Sequence, residues 1–251
     1  MHKKHSTEPV RHSRKSKPTE DEKLLNEPVD AETLKIRRNS DSWRVLRIMG
    51  EFTWGFENLQ DVAGGVSIFG SARTPSDHPM YQAAVDTGAR FAAAGVPVIT
   101  GGGPGIMEAA NRGAFEAGGL SIGCNIELPH EQYTNPYLTR SLDFKFFFVR
   151  KTMFVKYAVG FVVFPGGFGT LDELFESLTL IQTDKVTDFP VVLFGSAYWG
   201  GLLDWIRETL VAEGTISPGD VDLFTVTDDP DEAVRIILDS RERLDLRTVG
   251  Q

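Results

Sequence analysis

Short apolar runs alternate with longer amphipathic stretches along most of the chain after Gly65. An apolar run without polar alternation predicts a strand buried on both faces, and apolar residues recurring at a helical period predict a helix. The predicted strands are Val66–Phe69, Val96–Thr100, Ser121–Ile126, a segment near Phe144, Phe161–Phe164, Val191–Phe194 and Phe224–Thr227. The predicted helices lie near Tyr81–Ala94, Ile106–Ala117 and Arg150–Tyr157, and begin again at Thr170, Trp199 and Pro230.

This regular alternation predicts βαβ units, in which helices connect parallel strands. We therefore expect an α/β protein, a Rossmann-like doubly wound parallel sheet with helices on both faces. The sequence contains no internal repeat at a fixed period.

The N-terminal part has a different pattern. Up to about Asp41 the sequence is polar and contains several prolines, which is typical of a flexible arm. From Trp43 onward apolar positions recur near a helical period, which predicts an amphipathic helix that ends before Gly64 and packs on the main domain. The predicted organisation is thus a flexible basic arm over residues 1–41 and a single Rossmann-like domain, with its N-terminal helix, over residues 42–251.

Charge is unevenly distributed. The formal net charge of the chain is −9, but residues 1–18 hold six Lys or Arg against Glu8, or +5, which leaves −14 for the remainder. An acidic globular part repels a nucleic-acid backbone, so we expect no nucleic-acid partner. The single cysteine, Cys124, and the lack of a long apolar run favour a cytoplasmic protein without a membrane partner.

Three of the predicted strands end in loops of small residues. These loops are Gly70–Arg73, Gly101–Gly105 and Pro165–Thr170. Open parallel sheets bind ligands at the carboxyl ends of their strands, and glycines followed by a helix N-terminus offer free N–H groups to an anion. The spacing therefore favours a phosphate-containing ligand over three coincidental tight turns.

Familiar nucleotide motifs and metal motifs are absent from the sequence. The chain has no Gly-Lys dipeptide, which excludes a Walker A loop, and Gly101–Ile106 lacks the third glycine of the dinucleotide fingerprint. Cys124 has no partner at metal-ligand spacing and lies in an apolar strand, where it is expected to be a packing residue. We expect no cofactor and no metal.

The loop motifs together resemble one known family. The segment Pro165–Glu173 matches the PGGxGTxxE signature of the Lonely Guy (LOG) family, the cytokinin-activating phosphoribohydrolases, and Arg150-Lys151 matches its upstream Arg-Lys pair. The loops that follow Phe69 and Thr100 are also similar to those of the family. Proteins of this group are often labelled lysine decarboxylases, but no motif here indicates pyridoxal phosphate chemistry.

The resemblance implies hydrolysis of the N-glycosidic bond of a purine nucleoside 5′-monophosphate, of cytokinin type or AMP. It implies Arg150 and Glu173 as the catalytic pair, with Glu173 stabilising a cationic ribose or activating water. The implied substrate-binding residues are Ser71, Gly102, Gly103, Met107, Lys151, Gly166, Gly167, Gly169, Thr170 and Thr179. A homo-oligomer, dimer or hexamer, is also implied.

Several alternatives remain open at the level of sequence. Thr170-x-x-Glu173 has the pattern of a capping box, in which Glu173 serves the helix rather than catalysis. Phe146-Phe147-Phe148 has the composition of a base-stacking platform, although we expect these residues to fill the core. Alternatives for the whole protein are a nucleotide sensor of the same fold that does not cleave its ligand, and an oligomeric scaffold or nucleic-acid-binding protein that acts through its basic arm.

Overall fold

The computed structural model describes residues 19–25, 31–128 and 133–249. Its helices are α1 (Glu20–Leu25), α2 (Ala31–Leu59), α3 (Pro79–Ala93), α4 (Ile106–Glu116), α5 (Phe147–Lys156), α6 (Phe168–Gln182), α7 (Ser196–Trp205) and α8 (Pro230–Val249). Its strands are β1 (Gly65–Phe69), β2 (Val98–Thr100), β3 (Ser121–Ile126), β4 (Arg140–Phe144), β5 (Ala158–Val163), β6 (Val191–Phe194) and β7 (Phe224–Thr227). A π-helix (Ile206–Val211) and a 3₁₀ helix (Pro218–Asp222), which the sequence pattern does not predict, lie between α7 and β7.

The strands form one sheet with the order β4-β3-β2-β1-β5-β6-β7, and every pair of neighbours is parallel. The chain builds outward from β1 to β4, then returns to place β5 on the other side of β1. This reversal between β1 and β5 is the topological switch point, where open α/β sheets bind their ligands. The predicted Rossmann-like doubly wound sheet is confirmed.

The sheet is buried on both faces because its strands alternate their side chains between two apolar layers. Val66, Ile68 and Val162 pack with α3, α4 and α8, whereas Phe161 and Val163 pack on the opposite face with α5, α6 and α7. Strands that bury both faces must be apolar throughout, which is why the runs in the sequence predict them. No helix among residues 19–25, 31–128 and 133–249 is long and apolar enough to cross a membrane.

The N-terminal helices lie against the face that holds α5. Helix α2 packs closely on the domain at Gly55, where an added Cβ would lie 3.1 Å from the Met153 side chain. Just after the helix, Asp61 forms a bidentate ion pair with Arg140. Nearer the N-terminus of α2, Trp43, Leu46 and Met49 are exposed, 69% in the case of Trp43. Among the side chains that the structure describes, the expected packing on the domain therefore holds for the C-terminal part of α2.

Part of the predicted arm is helical. Helix α1 and the beginning of α2 fall within residues 1–41, while residues 1–18 and 26–30 lie outside the described residues. Helix α1 is tied to α2 by the ion pair between Glu20 and Arg47, 2.8 Å apart. Composition alone does not reveal such contacts, because they depend on a neighbouring helix.

Candidate functional site

The three small-residue loops meet at the switch point and are joined through their backbones. The Ser71 N–H donates to the Pro165 carbonyl at 2.9 Å, and the Ile106 N–H donates to the Ser71 carbonyl at 3.0 Å. The loops that follow β1, β2 and β5 therefore form one hydrogen-bonded frame, as the strand-end positions in the sequence predict.

Two glycines allow this close approach. Gly105 has φ +68°, and an added Cβ would lie 2.3 Å from the Ser71 carbonyl oxygen. Gly102 has φ +71°, and an added Cβ would lie 2.1 Å from Asn125 Oδ1. A side chain at either position would clash and would also strain the backbone. The predicted site residue Gly102 thus allows the backbone conformation of the loop.

The loops border an open cleft of about 1000 Å³. Its lining includes the predicted site residues Ser71, Met107, Arg150, Gly166, Gly167, Gly169, Thr170 and Glu173. Four other predicted site residues, Gly102, Gly103, Lys151 and Thr179, do not line it. The structure therefore brings together the predicted catalytic pair and most of the predicted binding residues.

The N-terminus of α6 opens into the cleft. The helix begins at Phe168 with Gly167 as its N-cap, and the first backbone hydrogen bond runs from the Leu171 N–H to the Gly167 carbonyl. The N–H groups of the first turn have no partner inside the helix, and the dipole adds positive potential there. The Tyr198 hydroxyl donates to the Gly166 carbonyl at 2.6 Å and holds the loop in place. Such a helix end binds an anion.

Glu173 lies in the second turn of α6 and is only 5% exposed. Its Oε2 is buried without a hydrogen-bond partner among the residues that the structure describes. Burial raises the pKa of Glu173 to about 7, although the cations Lys151 and Arg150 act in the opposite direction. This carboxyl group therefore exchanges its proton near neutral pH.

The capping-box interpretation of Glu173 is wrong. Because Gly166 and Gly167 make the turn, the helix starts at Phe168 and Thr170 lies inside its first turn rather than at the cap. Glu173 is then too far along the helix to reach the backbone of the N-cap. The N-cap residue, Gly167, has no side chain that could bond to the helix. Among the described residues, Glu173 Oε2 has no hydrogen-bond partner, so it is available to a ligand in the cleft.

Arg150 lies in the first turn of α5 and lines the cleft beside Glu173. Its pKa is lowered by burial, against the attraction of Glu173. Its guanidinium carbon lies 5.1 Å from the ring centre of Phe154 and 5.7 Å from that of Phe147. No ion pair within 4 Å satisfies it among the described residues, and its Nε has no hydrogen-bond partner there. A desolvated cation of this kind favours an anionic ligand.

The Lys151 ammonium is held by two carboxylates of α6. Its ammonium lies 3.0 Å from Asp172 Oδ2 and 2.7 Å from Glu176 Oε2. Asp172, which its sequence position suggests is merely solvated, is therefore ion-paired and also lines the cleft. Thr179 lies further along α6, where its exposed hydroxyl donates to the Phe175 carbonyl. Neither Lys151 nor Thr179 lines the cleft, although Lys151 contacts its lining through Asp172.

The structure adds lining residues that the sequence interpretation omits. The most prominent are Phe147, Phe168, Tyr198 and Asp228. Tyr198 and Asp228 follow β6 and β7, so the strand-end rule used for the glycine loops also indicates them. The expectation that Phe146, Phe147 and Phe148 fill the core is wrong for the last two, which are exposed because α5 begins at Phe147 and turns them outward.

Cys124 does not take part in the site. It is fully buried in β3, and burial raises the pKa of its thiol to about 12. A thiol of this kind is not ionised at neutral pH, which agrees with its expected role in packing.

Relatives are found among both sequences and solved structures. The chain is 31% identical to cytokinin riboside 5′-monophosphate phosphoribohydrolase LOG1 of Arabidopsis thaliana over 140 residues, which are 54% of this chain and 64% of that protein. It is 29% identical to the cytokinin riboside 5′-monophosphate phosphoribohydrolase of Mycobacterium tuberculosis over 172 residues, 65% of this chain and 88% of that one. The chain thus spans a little under two thirds of the plant relative.

Two solved structures show the same fold. A structural genomics target is 26% identical with a TM-score of 0.54, over 70% of this chain and 99% of the other. The molybdenum cofactor carrier protein of Chlamydomonas reinhardtii is 20% identical with a TM-score of 0.52, over 72% and 99%, and is similar in fold alone.

A family model adds a match that includes the cleft residues on α4, α5 and α6. This model, described as possible lysine decarboxylase, matches residues 107–237, just over half of the chain. The match agrees with the phosphoribohydrolase relatives and with the motifs around Arg150 and Glu173. The chain therefore belongs to the Lonely Guy (LOG) family.

Proposed function

We propose that this protein hydrolyses the N-glycosidic bond of a purine nucleoside 5′-monophosphate, of cytokinin type or AMP, to the free base and ribose 5-phosphate. The observation that carries the proposal is the buried, unpartnered carboxylate oxygen of Glu173, which lies one turn from a helix N-terminus that opens into the same cleft. The names of the LOG relatives support the same reaction.

The phosphate is held at the start of α6. Backbone N–H groups of Gly169 and Thr170 point toward the cleft end of the helix, where the dipole favours a negative charge. Because Glu173 lies on the same helix, the distance between the phosphate and the carboxylate is fixed by the helix itself. In the proposed complex, the carboxylate therefore lies beside the ribose of the nucleotide.

Cleavage of the bond builds positive charge on the ribose. Water adds to the anomeric carbon as the bond to the base nitrogen breaks, and the base leaves with a proton. An ionised Glu173 stabilises the cationic sugar or takes the proton from the attacking water, and its pKa near neutrality suits that proton transfer. Arg150 orients the nucleotide or assists the departing base.

The cleft does not fit the chemistry suggested by the description of the family model as possible lysine decarboxylase. Pyridoxal phosphate enzymes hold their cofactor through a lysine amine. No lysine is found among the described residues that line the cleft, and the nearby Lys151 is paired with Asp172 and Glu176. We therefore derive no step through that cofactor.

The decisive experiment is incubation of the protein with AMP and isoprenoid-modified AMP, followed by detection of free base. Release of base by the wild type, lowered by about two to four orders of magnitude in Glu173→Gln, is expected if the carboxylate acts in the reaction. Arg150→Ala should suppress turnover and also weaken nucleotide binding, because a cation is lost. Binding of AMP by the wild type without release of base would instead favour a nucleotide sensor.

A further inference from the structure

The N-terminus of α5 is capped by carboxylates from distant helices. Phe146, its N-cap residue, has an apolar side chain that cannot accept a hydrogen bond. Instead, Glu51 of α2 accepts from the Lys145 N–H at 2.5 Å and from the Phe146 N–H at 3.2 Å, and Asp21 of α1 accepts from the Phe147 N–H at 3.1 Å. Three N–H groups that α5 cannot satisfy itself thus receive charged partners.

The helix capped in this way carries Arg150. Arg150 lies one turn after Phe147, and its N–H donates to the Phe146 carbonyl at 3.2 Å. The ring of Phe147 lines the cleft and lies 5.7 Å from the Arg150 guanidinium carbon. A displacement of the first turn of α5 would therefore move both an aromatic wall of the cleft and the proposed catalytic cation.

The two carboxylates are themselves held in place. Glu20, next to Asp21, forms an ion pair with Arg47 at 2.8 Å, which fixes α1 on α2, and a second one within α1 with Lys23 at 2.6 Å. Helix α2 is fixed on the domain near Glu51 by the edge-to-face contact of Trp54 with Phe144, with ring centres 5.5 Å apart. Burial raises the pKa of Asp21 and of Glu51, which shows that both approach α5 closely enough to lose solvent.

We propose that Asp21 and Glu51 are positioning residues, through which the N-terminal helices hold the first turn of α5, and with it Phe147 and Arg150, in the geometry needed for hydrolysis. This inference rests on the proposed function. Both residues precede residues 107–237, the part that matches the family model, so they add an outside support to the site.

Substitution of the two carboxylates in the full-length chain tests the proposal. Glu51→Ala is expected to lower kcat by about 10- to 100-fold, since small displacements of catalytic groups have effects of this size, and to raise KM several-fold, because Arg150 is also expected to contribute to nucleotide binding. Glu51→Gln should recover part of the loss, because its amide oxygen still accepts one N–H. Asp21→Ala and Asp21→Asn should form a milder series. The matched control is Glu57→Ala, which removes an exposed carboxylate from the same helix.

Two further readouts separate positioning from simple stability. Melting temperatures set an assay temperature at which every variant is folded, and hydrogen exchange reports on the amides of residues 145–150. Faster exchange with lower kcat in Glu51→Ala, and neither change in Glu57→Ala, supports the proposal. Unchanged exchange, or faster exchange with wild-type kcat, overturns it.

Failure of the proposed function would be recognised separately. A wild type that releases no base disproves hydrolysis, and the affinity for AMP then decides the positioning role. An affinity several-fold weaker in Glu51→Ala than in Glu57→Ala supports it, whereas equal affinities overturn it.

Discussion

Glu173 combines two properties that conflict in a folded protein. Its side chain is buried on α6, yet the proposed reaction needs it charged, and burial raises its pKa to about 7. A buried carboxylate without a hydrogen-bond partner costs stability when it ionises. The chain therefore keeps at Glu173 a group that is unfavourable for folding and useful for chemistry.

The conflict predicts a pH-dependent gain of stability in Glu173→Gln. The folded pKa lies above the unfolded one, so the wild type loses stability as pH rises from about 4.5 to about 7, whereas glutamine does not titrate. Above pH 7 the variant should be more stable by up to about 3 kcal/mol, and near pH 4 the two should agree. Denaturant unfolding at several pH values measures this. A variant that is less stable at pH 8 would show that the carboxylate has a structural role.

The same shift predicts the pH dependence of catalysis. If the ionised form of Glu173 is the active one, kcat/KM for AMP should rise as pH increases and level off above about pH 7. Glu173→Asp, which retains a carboxylate, should keep an ascending limb, and Glu173→Gln should lose it. A wild-type profile that is flat between pH 5 and pH 8 would contradict this assignment.

Under the proposed function, helix α6 limits the size of the anion that the site accepts. One helix N-terminus offers its free N–H groups to a single phosphate, and the glycine loops contain no lysine of the P-loop type. AMP should therefore be cleaved with a kcat/KM at least about 100-fold above that for adenosine or ATP, because the phosphate contacts orient the ribose. Release of adenine from the three compounds measures this preference. Equal rates would mean that the Pro165–Thr170 loop has another role.

The success of prediction differed between strands and helix starts. The strands were predictable because runs such as Phe161–Phe164 bury both faces, and burial of this kind leaves its own pattern in the sequence. The start of α5 at Phe147 was not, because its caps come from Asp21 and Glu51, more than 90 residues away. The start of α6 was missed by two residues, because the sequence pattern favoured Thr170 over Gly167 as the cap.

The candidate site was predictable to the extent that backbone geometry determines it. Glycines at strand ends indicated all three loops. The resemblance to the LOG family indicated Arg150 and Glu173. The ion pairs of Lys151 with Asp172 and Glu176 depend on side-chain directions, which spacing does not fix. For the same reason Phe147 was assigned to the core although it lines the cleft.

At the scale of the whole molecule, we expect the basic residues at the N-terminus to be separable from the proposed activity. Deletion of residues 1–18 should leave kcat for AMP within about twofold of the full chain, because the segment has the composition of disorder. Deletion of residues 1–25 should lower kcat, since it also removes Asp21. Steady-state assays of both truncations provide the comparison. A large loss on removal of residues 1–18 alone would assign the arm to the site.

The exposed face of α2 predicts self-association. Trp43, Leu46 and Met49 are each more than half exposed in the single chain, which is unusual for neighbouring large apolar side chains. We expect a dimer or hexamer at micromolar concentration, detected by sedimentation velocity. Trp43→Glu should weaken the assembly. A single species of 27.8 kDa would contradict the expectation.

The hydrogen bonds that join the three loops also bear on how this protein can evolve. The bonds from Ser71 to Pro165 and from Ile106 to Ser71 use backbone atoms only, so most side-chain replacements leave them intact. The side chains of Phe147 and Phe168 line the cleft and form none of these hydrogen bonds. If the proposed function holds, exchange of these aromatic side chains would alter which base is accepted while the phosphate cradle persists, so single mutations would give access to new substrate preferences.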